Sequence, residues 1–78
     1  MARYFFDSRD RHGSSRDDEG VELDSIEAVR IEAAKALADM AKGAVPKHEH
    51  GELWLVVRDE SGRQVIRASL SFAVHVLT

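Results

Sequence analysis

Two rhythms of apolar and polar residues run along this chain. Between Asp24 and Lys42 the apolar positions recur every three or four residues: Ile26, Val29, Ala33, Leu37, Met40 and Ala41, continuing to Ala44. That spacing predicts an amphipathic helix over about residues 25–42, with Glu27, Arg30, Glu32, Lys35, Asp39 and Lys42 on its polar side. Seven alanines between Ala28 and Ala44 raise helix propensity and allow close approach to a neighbouring layer. Asp24 is placed to cap the helix, with Glu27 completing a capping box, while Gly43 and Pro46 read as its stop.

On either side of the helix the rhythm is that of β-structure. Residues 3–8 hold the consecutive aromatics Tyr4, Phe5 and Phe6 and predict a first strand. Residues 20–23 alternate Gly20, Val21, Glu22 and Leu23 and predict a short second one. The third strand, about residues 52–58, is apolar from Leu53 to Val57. The fourth, about residues 64–77, places Ile66, Ala68, Leu70, Phe72, Val74 and Val76 on one face and Val65, Arg67, Ser69, Ser71, Ala73 and His75 on the other. The polar stretch from Asp10 to Gly20 reads as a long, mobile hairpin connection, and Asp59-Glu60-Ser61-Gly62 as a turn.

The order strand, strand, helix, strand, strand predicts an α+β fold: a two-layer ββαββ domain covering residues 1–78, with one α-helix packed on one face of a four-stranded antiparallel sheet. Sheet orders 2-1-3-4 and 1-2-4-3 both satisfy the up-and-down path. The first is preferred, because it centres the two strands that are apolar on both faces.

One helix covers one side of such a sheet. If Leu53, Leu55 and Val57 face the helix with Phe5, the other side carries Trp54 and Val56 with Tyr4 and Phe6, beside Arg67, Ser69 and Ser71. A pairing slip of one residue would reverse the assignment of the first-strand rings. An aromatic centre with a polar rim has the make-up of a protein interface. The expected interaction surface is therefore Trp54, Tyr4, Phe6, Val56 and Arg67, with the edge of the fourth strand as a second route. The partner is a second copy of the chain or another protein.

Size and composition narrow the alternatives. Seventy-eight residues without cysteine must fold on apolar burial alone, with a margin of roughly 3–5 kcal/mol. The small size argues against a catalytic pocket of about 300 Å³ or more, so no enzyme and no cofactor is expected, and an enzyme or small-ligand binder is the third reading. The net charge of −3 comes from 11 basic and 14 acidic residues, and residues 7–22 hold six acids against three arginines. No basic face is evident for a phosphate backbone, which leaves single-stranded nucleic-acid binding through the sheet aromatics as the alternative function. The opening residues show no leader pattern and no apolar run nears membrane-spanning length, so a cytoplasmic protein with no membrane contact is expected.

Metal chemistry has two weak candidates, His48 and His50 in His48-Glu49-His50. Residues two apart converge on one ion only in an extended segment, and a third ligand would have to come from elsewhere. The acidic run Asp17-Asp18-Glu19 lacks calcium-loop spacing and reads as a solvated loop, or as a partner for Arg9, Arg11 or Arg16.

Several short motifs carry a resemblance: Arg3-Tyr4-Phe5-Phe6-Asp7, Asp18-Glu19-Gly20-Val21-Glu22-Leu23, the alanine-rich helix, and Val57-Arg58-Asp59 with Gly62. Together they resemble a family of small uncharacterised bacterial proteins, mainly alphaproteobacterial. The resemblance implies a bacterial, cytoplasmic protein and supplies no activity, substrate or catalytic residue.

Overall fold

The computed structural model describes residues 2–78. Its strands are β1 (Ala2–Asp10), β2 (Gly13–Ser15), β3 (Val21–Leu23), β4 (His50–Arg58) and β5 (Gln64–Ala73). The helix α1 spans Ile26–Ala44, and a single 3-10 turn, Val45–Lys47, follows it. The fold is α+β, one helix against an antiparallel sheet.

β1 pairs with β4, and β4 with β5, each antiparallel. The outer edge of β1 is shared. Its beginning pairs with β3, through Ala2 opposite Leu23, and its end pairs with β2, through Asp10 opposite Gly13. β2 and β3 thus act as one interrupted strand, and residues 16–20 bulge out between them. This gives the expected order 2-1-3-4, with β1 lying between β3 and β4 under the helical crossover. The segment expected to be a mobile connection is therefore partly strand. Gly13–Ser15 bonds to Ser8–Asp10 because β1 runs two residues past the expected end and offers a free edge there.

The core lies between α1 and β4. Val29, Ala33 and Leu37, spaced by one helical turn, bury against Leu53, Leu55 and Val57. Tyr4, Phe6, Leu23, Met40, Ile66, Leu70 and Phe72 pack around them. Ile26 departs from the expected helix face and is 56% exposed. It is the first helical residue, three positions before Val29 and at the end of the buried stripe.

Both helix ends differ from expectation. Ser25, not Asp24, caps the start: its backbone is extended and its Oγ accepts from the Ala28 N–H at 3.1 Å. The cap lies one residue later than expected, so Glu27 cannot complete a capping box, and it pairs instead with Arg30. Gly43 lies inside the helix, which runs on to Ala44 and passes into the 3-10 turn that contains Pro46. β5 ends at Ala73 rather than 77. Its partner β4 begins at His50, and the last inter-strand bond runs from the Val74 N–H to the Glu49 carbonyl.

Candidate functional site

The sheet side opposite α1 is uncovered over β4, and the register decides which side chains lie there. Phe6 is opposite Val57, and Ser8 opposite Leu55. Directly opposed residues share a face, so Phe6, and with it Tyr4, joins the helix side. Both pack against the core. The expectation that Tyr4 and Phe6 belong to the open face is corrected by this one-residue change of parity. Phe5 takes their place there, opposite Arg58, followed by Asp7 opposite Val56 and Arg9 opposite Trp54. From β5, Arg67 stands opposite Val56, and Ser69 opposite Trp54. Trp54, Val56 and Arg67 are on the open face as expected.

Part of this face forms an open groove of about 520 Å³, bounded by Asp7, Arg9, Trp54, Val56, Gln64 and Arg67. It is larger than the chain length led us to expect, and wide rather than enclosed. Trp54 and Val56 are half-buried along its floor, while Arg9 and Arg67 are exposed. Among the described residues neither arginine forms an ion pair. Arg9 escaped the sequence reading because the first strand was ended at residue 8; the alternation Phe5, Asp7, Arg9 is the signal that would have found it.

At the β1–β4 end the open face is closed by a clamp. The Arg58 guanidinium lies 4.5 Å from the centre of the Phe5 ring. Its Nε donates to Asp7 Oδ2 at 2.9 Å, and its terminal nitrogen donates to the Asp17 carbonyl at 2.8 Å. The Asp17 N–H donates to Asp7 Oδ1 at 2.9 Å. The Asp17 carboxylate accepts from the backbone N–H groups of Phe6, Glu19 and Gly20. Its bond to Phe6 replaces the strand rung that the 16–20 bulge omits. Partial burial opposes ionisation of Asp17, but the Phe6, Gly20 and Glu19 donors and the nearby Arg58 charge outweigh it and hold the carboxyl below its ordinary range.

Gly20 completes the clamp. Its φ is +74°, and a Cβ there would come within 2.9 Å of both the Phe5 ring and the Arg3 side chain. Arg3 reaches across to the Glu19 carbonyl at 2.7 Å and to Glu22 at 3.4 Å.

A profile for a domain of unknown function, DUF6894, matches residues 3–71. The chain belongs to this family. No curated protein and no solved structure matches it. Several residues of the motifs that carried the resemblance have structural roles. Phe5, Asp7, Gly20 and Arg58 meet in one clamp, and Asp59 with Gly62 builds the β4–β5 turn. There Asp59 Oδ1 accepts from the Ser61 and Arg63 N–H groups, and Gly62 sits at φ +89°.

The acidic run is drawn into the same clamp. Asp17 turns inward, and Asp18 lies 4.0 Å from Arg16 with both side chains exposed. His48 and His50, with His12, line one small pocket. His48 faces His12, with ring centres 5.4 Å apart, while His50 opens β4. Among the described residues no group of three or more histidine, cysteine or acidic side chains is arranged to hold a metal. No helix among them is long and apolar enough to cross a membrane.

Proposed function

We propose that this chain is a non-enzymatic protein-interaction module that docks an acidic segment of a partner protein on its open sheet face. The observation that carries the reading is Trp54 with Val56 on an uncovered groove floor, flanked by Arg9 and Arg67, neither of which has an acidic partner. An apolar side chain of the partner would cover Trp54, and flanking carboxylates would meet the two guanidiniums. Asp7 does not compete, because Arg58 already holds it. Glu52 shares the face but lies beside Ser71, outside this groove. The absence of cysteine is compatible with work in a reducing cytoplasm.

A displayed random-peptide library selected on the protein should converge on acidic sequences holding one large apolar residue. Trp54 is the only tryptophan, so its fluorescence reports binding directly. A selected peptide should give a saturable shift in the parent and little in Arg67→Glu. A library that fails to enrich, or enriches basic sequences, would sink the proposal.

Single-stranded nucleic-acid binding is the second reading, favoured by one observation: Arg9 stands directly across from Trp54. A stacked base with its phosphate on that guanidinium would use the same pair. A fluorescence shift with an oligonucleotide that falls steeply with salt, and none with acidic peptides, would select it.

A further inference from the structure

β5 is bonded to β4 on one side only and forms one edge of the sheet. The Val74 N–H donates to the Glu49 carbonyl at 2.6 Å, in line with the register that sets His50 opposite Ala73. Bonding direction alternates along an antiparallel pair. Phe72, Leu70 and Ala68 therefore turn their backbone groups toward β4, and Arg67, Ser69, Ser71 and Ala73 turn theirs outward. Arg67 is the only charged residue on this outward edge, which has no proline, and the one irregularity of the β4–β5 ladder lies at its start, at Val57 and Arg58. Edges left open in monomers usually carry such protection.

The same chain carries an exposed apolar segment outside any strand. Beyond β5, Val74-His75-Val76-Leu77 continues its alternation, and Val74, Val76 and Leu77 are 53%, 84% and 93% exposed. We infer that β5 and residues 74–77 pair antiparallel with the same segment of a second copy, about a two-fold axis at Ser71. In that register the outward-bonding residues meet one another: Arg67 faces His75, Ser69 faces Ala73, and Ser71 faces its own copy. On the helix side Ile66 meets Val76, Ala68 meets Val74, and Leu70 meets Phe72. Apolar residues meet apolar ones throughout that side, and no Arg, Lys, Asp or Glu is set opposite another of its own sign.

One segment thus supplies both the open edge and the strand that fills it, which is why the occupant is a second copy. The isologous contact closes on itself. Pairing residues 65–77 of both copies buries on the order of 1,000 Å², at the lower bound for a biological interface. The product is one continuous sheet with both helices on one side and both Trp54 grooves on the other. This contact shares Arg67 with the open-face groove but uses none of Arg9, Trp54 and Val56, so loss of Trp54 separates the two readings.

Sedimentation equilibrium of the parent, Ser71→Pro and Val76→Asp tests it. Ser71→Pro removes an outward N–H that β4 does not use, and Val76→Asp charges a side chain that touches no core residue. The parent should be a dimer, and each variant should raise the dissociation constant at least about tenfold. Amide exchange in the parent should show concentration-dependent protection at Arg67, Ser69, Ser71 and Ala73, lost in Val76→Asp. Trp54→Ser should dimerise like the parent. A monomeric parent, a dimer that survives Val76→Asp, or a dimer lost in Trp54→Ser would overturn the inference; the last would instead put self-association on the open face.

Discussion

Asp17 shows how much one side chain can settle. It stands in for a missing strand rung, fixes the turn at Glu19 and Gly20, and presents its carbonyl to Arg58. Its folded carboxyl titrates below the ordinary value of 3.8, so between the two values the unfolded chain binds more protons than the folded one. The stability it contributes is therefore complete above 3.8 and is lost as pH falls through the lower folded value. Asp17→Asn should lower stability at neutral pH by about 1 kcal/mol and flatten the acid side of the stability curve. Urea melts between neutral pH and pH ~3 check this; an unchanged acid slope would remove Asp17 from the clamp. None of this was legible in the sequence, where Asp17 is one acid in an acidic run. Selecting it takes the approach of Phe6 and Arg58, residues 11 and 41 positions away.

At the scale of elements, the sequence was informative where the signal repeats locally. The helix, both hairpins and the buried positions Val29, Ala33 and Leu37 follow from periodicity alone, because side-chain direction is set by backbone geometry over a few residues. Ends were less legible. Asp24 and Ser25 are both good caps, and only the backbone conformation at Ser25 chooses between them. The pattern of burial predicts a contrast. Leu37→Ala should cost about 2–5 kcal/mol, enough to unfold a domain of this size largely. Ile26→Ala should change stability by no more than about 0.5 kcal/mol, since the side chain is mostly in solvent. Thermal melts of the two variants decide it; equal losses would mean that Ile26 is covered after all.

The whole molecule measures 52 × 23 × 16 Å, a thin slab of two layers. Its radius of gyration, 14.0 Å, exceeds the value of about 11–12 Å expected for a compact chain of this length. So thin a slab leaves one sheet face bare, and Trp54 belongs to that face rather than to the core. Trp54→Ser should therefore melt within a few degrees of the parent while losing peptide binding at the open groove. A variant that unfolds outright would make Trp54 a core residue and remove the main support for the docking surface.

The amino-acid order alone determined the helix, four of the five strands and the buried stripe of Val29, Ala33 and Leu37, and it favoured the 2-1-3-4 path over 1-2-4-3, because each follows from a short-range period or from the need to cover apolar strands. Only the tertiary structure decided which of Tyr4, Phe5 and Phe6 faces the helix. Three adjacent rings fit either parity, and the choice is made by the pairing of Phe6 with Val57, 51 residues away. The same pairing set Arg9 beside Trp54 and drew Arg58 over Phe5. Register is a long-range quantity: a shift of one residue leaves every local propensity unchanged and exchanges the two faces of the sheet.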